Sequence, residues 1–145
     1  MEAIDSKHIV LISVDEDDGY ILSEVIAKLA DKVRFTHLYN CKNIFETLKS
    51  DPNIDIIILE LSTPFRLGLE CLKQIRTDPK FDDIPVAIYS GLNSKMMVEE
   101  SFEAGANYFL VKPNSYSETF RLFKKLFNEG LLNAKAHKSN FILEV

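Results

Sequence analysis

Short apolar runs and longer amphipathic segments alternate along the chain. Between and after the runs, apolar residues recur at intervals of three or four and predict five helices. In the last helix Tyr116, Phe120, Phe123 and Phe127 follow spacings of four, three and four. The runs are rich in β-branched and aromatic residues, as is typical of strands buried in a parallel sheet. They comprise residues 8–14, 33–39, 54–59, 84–90 and 108–111.

This alternation predicts an α/β fold with a five-stranded parallel sheet. The segments between the runs are too long for hairpins, so right-handed crossovers place helices on both faces in a doubly wound arrangement. In such a sheet the functional crevice lies beyond the carboxyl ends of the strands. The candidate site residues at those ends are Ser13, Val14, Asp15, Glu60, Ser90, Gly91, Lys112 and Pro113.

Composition narrows the choice of partners. The 145 residues are 46% hydrophobic and carry a net charge of −5 from intermingled acids and bases. No basic block offers a surface for nucleic acid or for an anionic membrane. No signal peptide is present, and no apolar run approaches the roughly 20 residues that span a bilayer. We therefore expect a single cytoplasmic domain that binds neither nucleic acid nor membrane.

The thiols and imidazoles show no pattern typical of a metal or disulfide site. Cys41 and Cys71 are far apart in sequence and neither lies in a CxxC motif, so we expect reduced thiols. His8, His37 and His137 have no carboxylate or thiol at ligand spacing, so we expect no zinc site. Five scattered glycines form no phosphate cradle, and no nucleophile stands beside a base. The chain is therefore not expected to be an enzyme.

Two segments at the strand ends resemble the receiver domain of response regulators in two-component signalling. They are residues 56–64 with Gly68, which match the loop after the phosphoacceptor strand, and residues 103–113, which end in Lys112-Pro113. The resemblance spans roughly residues 7–127. It implies the flavodoxin-like (βα)5 receiver fold over residues 1–127, with a tail at 128–145 and no effector domain.

The family's chemistry implies a role for each strand end. An acidic pair after the first strand and an aspartate after the third hold a magnesium ion, and that aspartate accepts the phosphoryl group. A Ser or Thr and a Lys contact the phosphoryl oxygens, and Ser90 and Lys112 match them. Phe109 matches the family's aromatic residue that changes rotamer on activation. An ordinary aromatic side chain in the core of a strand explains Phe109 equally well. The resemblance also implies a cis Lys112-Pro113 peptide.

The sequence departs from the family at the carboxylates. An ungapped match places Ser13 and Val14 at the acidic pair, whereas a one-residue slip brings Asp15 into its second position. Glu60 stands at the phosphoacceptor position, and its extra methylene displaces the nucleophilic oxygen by about an ångström, which can cost about 10²-fold in rate. We expect an atypical receiver that has lost its Mg²⁺ site and uses no cofactor. Asp15 and Glu60 are only weak candidates for metal ligands.

Lys112 is expected to pair with Glu60 across a shallow crevice, which would stabilise the fold by about 0 to 1 kcal/mol. The acidic run at residues 15–18 is interpreted as charge at the amino end of the first helix.

Because of these departures, our leading hypothesis is a stand-alone bacterial regulator that acts by protein contact without phosphorylation. The expected surface is the fourth helix, fifth strand and fifth helix, which would bind a histidine kinase, a downstream regulator or a second copy of the chain. The alternative is a working phosphoacceptor that uses Glu60 or a nearby acid such as Asp15. In the tail, residues 141–143 are a docking strand, a partner-binding segment or a frayed end, and the frayed end is favoured.

Overall fold

The computed structural model describes residues 7–61, 65–128 and 141–145. The strands are β1 Lys7–Ile12, β2 Val33–Leu38, β3 Ile56–Glu60, β4 Val86–Ser90, β5 Tyr108–Val111 and β6 Ile142–Leu143. The helices are α1 Glu16–Leu29, α2 Lys42–Ser50, α3 Phe65–Thr77, α4 Lys95–Glu103 and α5 Tyr116–Asn128, with a 3₁₀ turn at Pro79–Phe81. Among the described residues, no helix combines the length and apolar character that crossing a bilayer requires.

All strands lie in one parallel sheet, in the order β2-β1-β3-β4-β5-β6. Each face carries its own buried apolar cluster. One cluster joins the sheet to α2, α3 and α4, and the other joins it to α1 and α5. The predicted α/β architecture, with helices on both faces of a parallel sheet, is therefore confirmed.

The sixth strand corrects the prediction of five. For residues 141–143 a frayed end was favoured over a docking strand, but Ile142 and Leu143 pair with Phe109 and Leu110 of β5, so the docking strand is correct. The physical reason is burial, because the Phe141 side chain is only 2% exposed and an apolar side chain of that size strongly favours a packed position. The remainder of the predicted tail, residues 129–140, lies outside the described residues.

The first strand ends earlier than the hydrophobic pattern predicts, and the first helix begins at the acidic run, as expected. Strand β1 ends at Ile12, and α1 already begins at Glu16. Asp15 is the N-cap, and its carboxylate accepts hydrogen bonds from the backbone N–H groups of Asp17 and Asp18, which starts the helix at the acidic run. Ser13 and Val14 consequently lie in the loop at the carboxyl edge of the sheet.

The prediction that both cysteines are reduced thiols is wrong. Cys41 and Cys71 form a disulfide with their Cα atoms 5.8 Å apart. Cys41 directly precedes α2 and Cys71 lies within α3, and both helices pack on the same face of the sheet. A separation of 30 residues in sequence therefore becomes a short distance once the crossovers are in place.

Candidate functional site

The carboxyl ends of β1, β3 and β5 meet around the side chain of Glu60. Glu60 is the last residue of β3, and its side chain is 7% exposed. Its Oε1 accepts a hydrogen bond from the Ser13 hydroxyl, and its Oε2 accepts one from Lys112 Nζ at 2.9 Å. The predicted Glu60–Lys112 ion pair is confirmed. The crevice is less open than expected, since the Lys112 side chain is only 27% exposed.

A second carboxylate, which the sequence analysis did not assign to the site, completes this cluster. Asp18 lies in the first turn of α1 with its side chain 9% exposed, and its Oδ2 accepts a hydrogen bond from Lys112 Nζ. One ammonium group thus bridges two carboxylates. A signal was present in the sequence, because Asp18 falls on the same helical stripe as Leu22 and Val25, which face the core.

The charged groups of this cluster shift one another's pKa values. Burial and a hydrogen bond to the Glu60 carboxyl raise the pKa of Asp18 to about 6, although Lys112 acts to lower it. Burial alone would lower the pKa of Lys112, but its hydrogen bonds to Asp18 and Glu60 outweigh burial and shift this pKa upward. Lys112 therefore stays charged at neutral pH, while the Asp18 carboxyl binds a proton near pH 6. We refer to Asp18, Glu60 and Lys112 as the charged triad.

Ser13 is held in place by a second layer of contacts. Its carbonyl oxygen accepts a hydrogen bond from His37 Nε2 at 2.9 Å, and its hydroxyl oxygen accepts one from the Asp15 N–H at 2.9 Å. The His37 ring fits against α1 only because residue 19 is glycine, since a Cβ there would lie 2.0 Å from His37 Nδ1. The sequence analysis missed both residues. The glycine inside a helical pattern was the available signal.

The other two residues predicted near the acidic pair stand outside the charged triad. Val14 is 72% exposed. Asp15 is also exposed, and its carboxylate is engaged with the backbone at the start of α1 rather than with Glu60. Of the three residues after β1, the structure brings only Ser13 to Glu60.

The predicted switch residues are buried beside the crevice. Ser90 is buried, and its hydroxyl donates to the Leu92 carbonyl at 2.8 Å, while its own carbonyl accepts the Lys112 N–H at 2.8 Å. Phe109 is fully buried, with its ring centroid 6.3 Å from that of Phe141. Phe109 therefore occupies a core position. The cis configuration of the peptide before Pro113 stays a prediction.

A cavity of about 330 Å³ opens beside Glu60. Polar groups come from Ser13 and Asn40, and apolar side chains from Val14, Tyr39 and Leu67 line the rest. Within the ranges 7–61, 65–128 and 141–145, no three His, Cys, Asp or Glu side chains form a cluster that could hold a metal ion.

A parallel sheet that carries a lysine and a carboxylate at the ends of its strands is the arrangement expected of a receiver domain, a class of regulatory protein. Residues 10–124 match the family model of the response regulator receiver domain. The chain belongs to the response regulator receiver family of two-component signalling.

Relatives from rice agree with this assignment. The chain is 36% identical over 112 residues to the two-component response regulator ORR11 of Oryza sativa, which covers 76% of each chain. It is 29% identical over 121 residues to ORR5 of the same species, covering 83% of this chain and 89% of the relative. Because these relatives are rice proteins, they do not support the expected bacterial origin.

Solved structures agree with the fold. The Mn²⁺-bound form of response regulator Rcp1 matches with a TM-score of 0.74 and 21% identity, over 90% of this chain and 99% of that one. The phosphorylated cyanobacterial phytochrome response regulator RcpA matches with a TM-score of 0.76 and 22% identity, over 87% and 96% of the two chains. At these identities the likeness shows the flavodoxin-like receiver fold alone.

Proposed function

We propose that this chain is an atypical receiver that signals through protein contacts without being phosphorylated. The observation that carries the proposal is the Lys112 ammonium group, which is hydrogen-bonded to both Asp18 and Glu60. In this proposal Glu60 replaces the phosphoacceptor aspartate. The charged triad then provides, from side chains alone, the charge balance that a metal ion and a phosphoryl group provide in the family's chemistry.

The donor set of the crevice does not fit magnesium, and this supports the absence of a cofactor. Mg²⁺ requires about six oxygen ligands in near-octahedral geometry. Both Glu60 oxygens already accept hydrogen bonds, from Ser13 and from Lys112. In the ungapped match Ser13 and Val14 replace the acidic pair, and Asp15, the alternative ligand, caps α1 instead. The Asp18 carboxylate already accepts a hydrogen bond from Lys112. No step of the proposed function uses a metal ion.

The same contacts disfavour attack by Glu60 on a phosphoryl donor. The extra methylene misplaces the attacking oxygen, and a displacement of about 1 Å can cost about 10²-fold in rate. A phosphorylated Glu60 would carry up to about two negative charges next to the Asp18 carboxylate, and Glu60 would first have to release Lys112 and Ser13. Direct contact between buried acids makes such an adduct unfavourable.

The proposed output surface consists of α4, β5 and α5. Its partners would be a histidine kinase, a downstream regulator or a second copy of the chain, in the cytoplasm. Binding of nucleic acid or membrane, and enzymatic activity, form no part of the proposal. We adopt this surface because the charged triad ends at Lys112, which directly follows β5.

Phosphotransfer tests the proposal. The wild-type chain, Glu60→Asp and the triple variant S13D/V14D/E60D are mixed with a histidine kinase, labelled ATP and Mg²⁺, with an ordinary receiver as a positive control. We expect label on the control and the triple variant, and none on the wild type or Glu60→Asp. Label on the wild type would support the alternative, in which Glu60 or Asp15 accepts the phosphoryl group. Variants at each residue would then locate the label.

A further inference from the structure

The carboxyl-terminal residues 141–145, called the C-terminal segment here, cover the edge of the sheet at β5. The backbone N–H of Phe109 donates to the Phe141 carbonyl at 2.9 Å, and Leu110 pairs with Leu143 in parallel register. Without this segment, β5 would expose a row of unpaired backbone groups, and such an edge readily pairs with another extended chain.

Two side chains anchor the C-terminal segment on opposite sides of this edge. The Phe141 ring packs edge-on against Phe102 of α4, with centroids 5.1 Å apart, and belongs to the cluster on that face. Leu143 is buried and belongs to the cluster that includes Phe123 of α5. Ile142, between them, is 45% exposed. The edge therefore selects an aromatic residue, any residue and then an aliphatic residue.

We propose that the β5 edge, with the adjoining sides of α4 and α5, is a binding groove for an extended peptide of this aromatic–any–aliphatic pattern. The chain's own C-terminal segment fills the groove in the absence of a partner. A partner protein that presents a parallel strand of the same chemistry binds by replacing this segment, which is a form of β-strand addition. The inference rests on the proposed function, because it specifies what the α4-β5-α5 surface recognises.

The C-terminal segment is suited to being replaced. Strand β6 contains only two residues, so few ladder hydrogen bonds hold it. It remains tethered to α5, and short tethers give effective concentrations of about 1 mM. If the segment itself has an intrinsic Kd of about 10 µM for the groove, a competing peptide should bind the filled groove about 100-fold more weakly than the empty one.

Fluorescence anisotropy with a labelled synthetic peptide, Ser-Asn-Phe-Ile-Leu-Glu-Val from residues 139–145, tests this inference. The full-length chain is compared with Phe141→Asp, which places a charge in the aromatic position, and with Ile142→Asp as the matched control at an exposed position. We expect Phe141→Asp to bind the peptide about 100-fold more tightly than the wild type, and Ile142→Asp to resemble the wild type. Equal affinity of all three folded proteins would overturn the proposal.

Two further measurements keep the test decisive. If Phe141→Asp does not fold, hydrogen exchange of the wild type is measured at the Phe109 amide. Exchange faster than at the Ile88 amide in β4 supports replacement of the segment, whereas exchange only through global unfolding contradicts it. A Phe141→Asp dimer that leaves the peptide unbound would show that the groove accepts a second copy of the chain, and the proposal would be wrong. Phosphotransfer is assayed separately, so label on the wild type would overturn the proposed function without changing the peptide result.

Discussion

Removing the ammonium group from the charged triad should destabilise the protein in a pH-dependent way. Lys112→Met keeps most of the apolar stem but leaves Asp18 and Glu60 facing each other without a cation. Their side chains are 9% and 7% exposed, and that of Lys112 is 27% exposed. Breaking a buried ion pair costs about 3–5 kcal/mol. Because Lys112 is partly exposed, we expect about 2–3 kcal/mol at pH 8.

The pH dependence follows from the direction of the shift at Asp18. Its pKa is raised from 3.8 to about 6 in the folded protein, so the folded state holds a proton that the unfolded state releases. The associated stability is present below about pH 4 and is lost as the pH rises through about 6. Lys112→Met removes the group that lowers the pKa of Asp18, so this pKa rises further and the loss of stability relative to the wild type should be larger at pH 8 than at pH 5.

Urea denaturation followed by circular dichroism measures this effect at pH 5, 6.5 and 8. Lys124→Met, at an exposed position of α5, is the matched control and should change stability by less than about 0.5 kcal/mol. Adding Glu60→Gln to Lys112→Met should recover part of the loss, because one of the facing charges is then removed. Equal losses for Lys112→Met and Lys124→Met at pH 8 would refute the reasoning, as would a larger loss at pH 5.

Two further substitutions test the neighbourhood of the triad. Gly19→Ala should lower the free energy of unfolding by at least about 1 kcal/mol, although alanine favours helices, because its Cβ would lie 2.0 Å from His37 Nδ1. Gly91→Ala, where no atom lies within 4 Å of the added Cβ, is the control in urea denaturation, and equal losses would contradict the packing argument. Replacing Cys41 and Cys71 by serine should cost about 3 kcal/mol, with no further loss when dithiothreitol is added. An unchanged urea midpoint would show that the disulfide does not stabilise the fold.

The hydrophobic pattern predicted most of the architecture, because fully buried strands and half-buried helices alternate regularly along the chain of a doubly wound fold. Strand β5 spans Tyr108 to Val111 as predicted, since apolar residues end there at a lysine and a proline. Gly105, which follows the Ala104 C-cap of α4, has a positive φ of 106°, the backbone conformation that glycine favours just past a helix end. At the site, Glu60 and Lys112 were identified because both lie at the carboxyl ends of parallel strands, which meet at one edge of the sheet.

The features that were not predicted depend on contacts that the spacing of apolar residues in the sequence does not reveal. Asp18 is tolerated on the buried face of α1 only because Lys112, 94 residues later in the chain, supplies its counter-charge. The disulfide depends on how α2 and α3 pack, and β6 depends on the edge of β5, which exists only once the sheet has formed. Each of these features depends on contacts between residues that are far apart in sequence and meet only in the folded structure.

The position of β6 has a practical consequence for anyone handling this protein. Val145 is 53% exposed and lies two residues after Leu143, at the sheet edge between α4 and α5. A purification tag or fluorescent protein fused after Val145 would project from that edge and obstruct partners that approach it. Lys7, the first residue of β1, lies at the opposite, amino edge of the parallel sheet, away from the strand ends that form the crevice. Interaction screens should therefore carry the label at the amino terminus.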